Sequence, residues 1–190
     1  CGLPDARAVA LRSPFDPANM GLWCARQVST RYKDRADSIA KVSDLLAVMA
    51  AAQPGHYLAF FPSYSYLQQV WENFTARYPD QPTLCQESSM DEGQRTEFLA
   101  QFLARDGKPL LGFAVLGGVF GEGVDLTGES LIGVAVVSPG LPQIGPRQEQ
   151  LRDYFEETRG AGFDYAYRYP GMNKVLQAAG RVIRTPQDRG

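Results

Sequence analysis

The sequence predicts an α/β fold, a mostly parallel sheet covered by helices, and three observations predict it. Short apolar runs at Tyr57–Phe61, Pro109–Leu116 and Leu131–Val137 have the length and continuity of strands buried on both faces. Segments with apolar residues at helical spacing separate them, and strands alternating with helices build parallel sheets. The chain has 190 residues, 44% of them hydrophobic. That is enough for one domain with a full core and too little for two generous ones.

Taken in order, Ala6–Leu11 is a short, weakly patterned first strand, and Ser13-Pro14-Phe15-Asp16-Pro17 is a turn-rich connector. Val42, Leu45, Leu46 and Met49 mark a helix over Ile39–Met49 that Pro54-Gly55 ends. His56 follows that breaker with no partner motif and reads as a solvated turn histidine. After the Tyr57–Phe61 strand, Leu67, Val70, Trp71 and Phe74 lie on one face of a helix. Thr83-Leu84-Cys85 is a further strand. Asp91 caps a helix carrying Phe98, Leu99, Phe102 and Leu103. Beyond the strands at Pro109–Leu116 and Leu131–Val137 come a helix through Leu151, Tyr154 and Phe155 and a last helix from about Met172 to Arg184. Glu156-Glu157 reads as a solvated helix face. Phe163, Tyr165, Tyr167 and Tyr169 alternate with other residues; they either stack on bases or form one buried face of an extended segment.

Net charge is −2, so no global basic field draws the chain to nucleic acid, and any such contact must be local. Cys1, Cys24 and Cys85 show no metal spacing and suit a reduced compartment, so a cytoplasmic setting is expected. The apolar runs are strand-sized, and no membrane partner is expected. The chain begins at a cysteine and stops soon after motif-like residues, so it reads as a fragment of a longer protein.

The residues with the most chemistry are Gln177-Ala178-Ala179-Gly180-Arg181-Val182-Ile183-Arg184. On a helix Gln177, Arg181 and Arg184 fall at i, i+4 and i+7 and share a face, while Leu176, Ala179, Val182 and Ile183 bury the rest. Gly180 removes a side chain beside that face. Two arginines fixed on a packed helix suit phosphate, since each guanidinium offers a rigid fork of donors; a solvated face of salt bridges is the alternative. A second stretch, Gly117-Gly118-Val119-Phe120-Gly121-Glu122-Gly123-Val124-Asp125-Leu126, leaves a strand's C-terminal end, where open α/β sheets bind ligands. Leu126 stands where a dinucleotide fingerprint needs glycine, and a flexible turn is the plain reading. In a third stretch, Phe60-Phe61-Pro62-Ser63-Tyr64, Ser63 sits between strand and helix, either as a simple N-cap or as part of a phosphate cradle.

Together these stretches resemble superfamily 2 helicases. Gln177 to Arg184 fits motif VI, Gln-x-x-Gly-Arg-x-x-Arg, at every defined position. Gly121 to Leu126 resembles motif V of the XPD/DinG branch, and Phe60 to Tyr64 its motif IV. Ser13-Pro14-Phe15 and Ser29-Thr30-Arg31-Tyr32-Lys33-Asp34-Arg35 are similar to the opening of DinG-type second motor domains. Tyr165 to Lys174 is similar to the lead-in to motif VI in the DinG/YoaA group.

The resemblance implies a RecA-like three-layer domain, the second motor domain of an ATP-dependent DNA helicase with 5′→3′ polarity. It implies ATP with magnesium held mainly by a first RecA-like domain of the same parent chain, which also carries any iron–sulfur cluster. By the family pattern Arg184 is the arginine finger and Arg181 also reaches the terminal phosphates. Gln177, Gly180, Glu122 and Gly123 lie near the nucleotide, with Asp125 on its ribose side. Ser63, Tyr64, Arg31, Tyr32, Lys33 and Gly118 are the candidates for single-stranded DNA. No phosphate loop is expected in this chain: Gly107-Lys108 is followed by Pro109, and Phe102 stands where the loop's first glycine belongs. Asp91-Glu92 follows no buried strand and is a poor magnesium-binding pair. The isolated chain is therefore expected not to hydrolyse ATP efficiently. A non-catalytic RecA-like module that binds nucleotide or a partner, and a dinucleotide-dependent oxidoreductase, are the competing readings.

Overall fold

The computed structural model describes residues 9–104, 109–118, 120 and 131–190. Its sheet contains β1 (His56–Phe61), β2 (Thr83–Cys85), β3 (Leu110–Val115) and β4 (Gly133–Val136). The spatial order is β2-β3-β1-β4, and every pairing among the described residues is parallel. Around it lie α1 (Arg35–Ala52), α2 (Tyr64–Arg77), α3 (Glu92–Leu103), α4 (Pro146–Arg159) and α5 (Tyr169–Ala179).

All six residues of β1 are buried, as its continuous apolar run predicts. Period-two alternation sends Tyr57, Ala59 and Phe61 to one face and Leu58 and Phe60 to the other. The first face packs on Val42 and Leu46 of α1 and on Leu67, Val70 and Phe74 of α2. Phe113 of β3 joins it, stacked on Phe61 at 5.7 Å and edge-on to Phe74 at 5.5 Å. The second face packs on Phe98 and Phe102 of α3 and on Ala178 of α5. Gly112 lets α3 come this close, since a Cβ there would strike the Phe102 ring and lie 2.9 Å from Leu58. Three layers result, helix–sheet–helix.

The crossover through α2 carries the chain from β1 past β3 to the edge strand β2; the crossover through α3 returns it to β3. Right-handed connections running in opposite directions place their helices on opposite faces, and α2 and α3 do lie in opposite cores. β3 then connects past β1 to β4. The neighbours β1 and β3 therefore send their connections in opposite directions along the sheet, and the crevice at their C-terminal ends is where such sheets hold ligands.

Four expectations are corrected. Residues 6–8 of the first-strand candidate lie outside the described residues, and Val9–Leu11 form no strand, with Val9 81% and Leu11 88% exposed. His56 opens β1 instead of lying in a solvated turn. It is 7% exposed, its Nδ1 is 3.0 Å from the Phe102 carbonyl oxygen, and its ring meets Phe102 edge-on. The aromatic set from Phe163 to Tyr169 is helical, not extended: a π-helical segment spans Asp164–Arg168 and runs into α5. Alternate members of that set are four residues apart. Phe163 stacks on Tyr167 at 5.4 Å, and Tyr165 meets Tyr169 edge-on at 5.2 Å. The last helix, finally, ends at Ala179 and not at Arg184. Asp91, by contrast, caps α3 as expected, in a reciprocal capping box with Gln94.

Candidate functional site

At the C-terminal edge of the sheet, Ser63 leaves β1 in extended backbone and caps α2, its Oγ accepting from the Tyr66 amide at 3.4 Å. The next residue, Tyr64, is 38% exposed, and its hydroxyl accepts from Gln86 Nε2 at 2.9 Å. Gln86 is the first residue beyond β2 and is 4% exposed. Its Oε1 accepts from the Val115 amide at 2.8 Å, and its own amide donates to the Phe113 carbonyl at 2.8 Å. One buried side chain thus ties the start of α2 to the end of β3. Gly117 turns the chain with φ +76°, in the left-handed region that glycine favours. A Cβ on Gly118 would lie 3.2 Å from the Val115 carbonyl oxygen and 3.7 Å from Gln86 Nε2. Ser63, Tyr64 and Gly118 therefore converge, through Gln86, on the β1/β3 crevice.

Two further elements border this edge. Arg31, Tyr32 and Lys33 are exposed on a 3₁₀ turn, Tyr32–Asp34, that runs into α1. The Arg35 guanidinium lies 5.3 Å from the Tyr32 ring centre and 5.1 Å from that of Tyr66, and Ser38 Oγ is 2.6 Å from the Tyr66 hydroxyl. The start of α1 is thereby held beside the start of α2. From α5, Lys174 reaches over the glycine turn; a Cβ on Gly117 would lie 3.4 Å from its Cε. Cys85 sits at the end of β2, and burial, then the charges of Glu87 and Glu72, pushes its thiol up to about 12. It is a protonated, unreactive thiol at neutral pH.

The motif VI residues are arranged differently from the expectation of one helical face. Gly180, with φ −66° and ψ 0°, follows the last helical residue, and its amide still reaches the Leu176 carbonyl at 2.9 Å. The Arg181 and Val182 amides bond instead to Ala178 at 3.2 Å and Ala179 at 3.3 Å, an i→i−3 pattern that tightens and ends the turn. Glycine lowers the cost of leaving the helix at this position. The burial pattern shifts with it: Ala178 is 1% exposed, whereas Leu176, expected inside, is 64% exposed. Gln177, Gly180 and Arg184 face solvent, while Arg181 is 5% exposed and turns into the fold.

Beyond the helix, Asp188 Oδ2 accepts from the Arg184 and Thr185 amides, both at 2.7 Å, and Oδ1 accepts from the Thr185 hydroxyl at 2.8 Å. Burial pushes the Asp188 carboxyl up; these three bonds outweigh it and leave the group below its ordinary range. Gly190 lies against Val182 and the carbonyl of Ile132, the residue just before β4, whose amide bonds His56. The Arg181–Arg184 stretch thus approaches the N-terminal ends of β1 and β4. Lys174 lies midway along α5, about 7.5 Å of helix before its last residue, Ala179. Two separate regions result, joined by one helix. Glu122, Gly123 and Asp125 lie outside the described residues.

Gln86 and Asp188 escape the sequence reading, and Lys174 enters it only as the last residue of the motif VI lead-in. A polar residue directly after a strand of a parallel sheet is the signal for Gln86, and an aspartate within a turn of the last motif residue is the signal for Asp188. Among the described residues, no group of three or more His, Cys, Asp or Glu is placed to hold a metal ion. No helix among them is long and apolar enough to cross a membrane.

Comparison with known proteins matches residues 46–190 to a family described as the helicase C-terminal domain. Regulator of telomere elongation helicase 1 of Bos taurus is 29% identical over 84% of this chain and 14% of its own length. A probable ATP-dependent helicase of Methanocaldococcus jannaschii is 27% identical over the whole chain and 30% of its own length. The ATP-dependent DNA helicase chl1 of Neosartorya fischeri is 28% identical over 82% of the chain and 22% of its own. The chain thus spans less than a third of each of these relatives. Among solved structures, an XPD helicase superposes with TM-score 0.66 at 18% identity over 90% of this chain and 29% of its own. An XPD structure without ligand gives 0.67 at 19% identity over 85% and 32%. At these identities the likeness is one of fold.

Proposed function

The chain belongs to the helicase C-terminal domain family, and from that premise we propose that it is the second motor domain of a longer ATP-dependent DNA helicase of the XPD/DinG branch. In this reading it supplies motif IV, V and VI residues to ATP hydrolysis coupled to 5′→3′ movement on single-stranded DNA. Magnesium–ATP is held mainly by a first RecA-like domain of the parent chain, and an iron–sulfur cluster, where one exists, belongs to that part too. The cytosol is the compartment that goes with it.

One observation carries the proposal: the motif VI stretch places Arg184, an exposed residue, on a backbone pinned by Asp188. Phosphoryl transfer builds charge on oxygens, and a fixed arginine stabilises it by about 10³–10⁵ in rate. Gln177 and Gly180 lie exposed on the approach to it. Arg181 is the second phosphate contact in the proposal; enclosed as it is, the nucleotide must come to it. Glu122, Gly123 and Asp125 complete the nucleotide side by family pattern alone.

Single-stranded DNA is assigned to the sheet's C-terminal edge, where Ser63, Tyr64 and Gly118 converge and Arg31, Tyr32 and Lys33 stand exposed nearby. Hydroxyls, amides and a few cations suit backbone tracking by a chain of nearly neutral charge. On this reading α5 links the two regions, so that hydrolysis beyond its C-terminal end can be felt at Lys174, midway along it. The burial of Arg181 favours a second reading, a non-catalytic RecA-like module. Arg184→Ala in the parent helicase separates the two: loss of DNA-stimulated ATPase supports the motor domain, and unchanged turnover supports the module.

A further inference from the structure

We propose that Asp188 is the positioning residue for Arg184, fixing the backbone from which the guanidinium is delivered after the helix has ended. The inference rests on the reading of Arg184 as arginine finger.

α5 stops at Ala179, so Arg184 stands five residues beyond the helical ladder. Its place is set by other means. One carboxylate receives the Arg184 amide, the Thr185 amide and the Thr185 hydroxyl at 2.7, 2.7 and 2.8 Å, using both oxygens. The Asp188 amide returns a bond to the Thr185 carbonyl at 3.2 Å, closing the turn. A second clamp grips the same turn from outside. Asn19 Nδ2 donates to the Pro186 carbonyl at 3.3 Å, the Gly190 amide to the Asn19 carbonyl at 3.0 Å, and the Gly21 amide to the Gly190 carbonyl at 2.7 Å. On the inner side Val182 is 9% exposed and sits in the fold.

Three donors converging on a carboxylate favour its ionised form, in which both oxygens are purely acceptors. The lowered proton affinity of Asp188 agrees with that. Charge-assisted bonds of this length are the strong kind. A finger needs such support: catalytic groups must be held within about 0.5 Å of productive geometry, and a misplacement of about 1 Å costs roughly 100-fold in rate. Asp188 does this without touching the nucleotide.

The test compares Asp188→Ala, Asp188→Asn, Arg184→Ala and the double variant in the full-length parent helicase, measuring DNA-stimulated ATPase and single-strand affinity. Asparagine keeps an oxygen for the two amides and offers its NH2 to the threonine hydroxyl oxygen, so it preserves the turn. Asp188→Ala is expected to lower kcat by roughly 100-fold, with KM for ATP and DNA affinity within about three-fold. Asp188→Asn should restore most of that loss. In the Arg184→Ala background, adding Asp188→Ala should cost nothing further, because its effect passes through the arginine. The inference is overturned if Asp188→Ala keeps wild-type kcat while Arg184→Ala is inactive, or if the two losses multiply. It is overturned equally if kcat, KM and DNA affinity all fail together without rescue by asparagine, which marks a general loss of fold. Should Arg184→Ala itself keep full turnover, the finger reading falls first.

Discussion

Gln86→Leu removes the bridge between α2 and β3 while nearly preserving volume. The glutamine is 4% exposed and makes two side-chain hydrogen bonds, at 2.9 Å to the Tyr64 hydroxyl and at 2.8 Å from the Val115 amide. Leucine fills the space, so the cavity cost is small. The Tyr64 hydroxyl belongs to a residue 38% exposed and can turn to water. The Val115 amide is left facing a hydrocarbon group, and an unsatisfied buried donor costs about 1–3 kcal/mol. The expected loss is therefore about 2 kcal/mol, or roughly 4–8 °C in Tm for a domain of this size. Urea unfolding of the chain followed by Trp71 fluorescence reads this corner directly, because Trp71 Nε1 donates to Thr83 Oγ1 of β2 at 3.1 Å. Trp23, 85% exposed, contributes a steady background. A loss below about 0.5 kcal/mol, the ordinary scatter of surface substitutions, would show that Gln86 does not hold β3 to α2 and would refute the bridge.

Two further outcomes follow from the same geometry. Ser63→Ala should cost about 1 kcal/mol of stability through the lost cap of α2, and in the parent helicase it should weaken single-strand binding while leaving the DNA-independent ATPase intact; unchanged affinity and coupling would remove Ser63 from the DNA edge. Asp188, with its carboxyl held below its ordinary value of 3.8, stabilises the fold above that value and loses the contribution as pH falls through the lowered one. Urea midpoints of the wild type and Asp188→Asn should therefore converge at low pH, and a constant gap across the acid range would contradict the assignment.

Much of the fold is legible from the sequence because local and tertiary preferences agree. The run Tyr57–Phe61 is apolar on both faces and becomes the central strand. Asp91 caps α3 as its place before the helix suggests, and Gln94 completes a capping box with it. The misses arise where two periods coincide or where a breaker lies inside a periodic pattern. Aromatics at 163, 165, 167 and 169 satisfy a strand's period of two, yet they also contain i,i+4 pairs, and ring packing on a helix uses those. The pattern Gln177 to Arg184 is helical in spacing, but Gly180 ends the helix midway, so Arg181 turns inward and Arg184 outward. His56 is hidden by its breaker neighbours, Pro54-Gly55, because the strand begins immediately after them. Gln86 belongs to no motif, and only the sheet order brings it beside Val115.

The central claim is that this domain lends an arginine to ATP bound elsewhere in the parent protein. Single-turnover ATP hydrolysis by Arg184→Ala in the full-length helicase, with single-stranded DNA saturating and ATP affinity measured in parallel, tests it most directly. The account predicts a chemical step slowed by about 10³-fold or more, with ATP affinity within a few-fold of wild type. A wild-type single-turnover rate would contradict it.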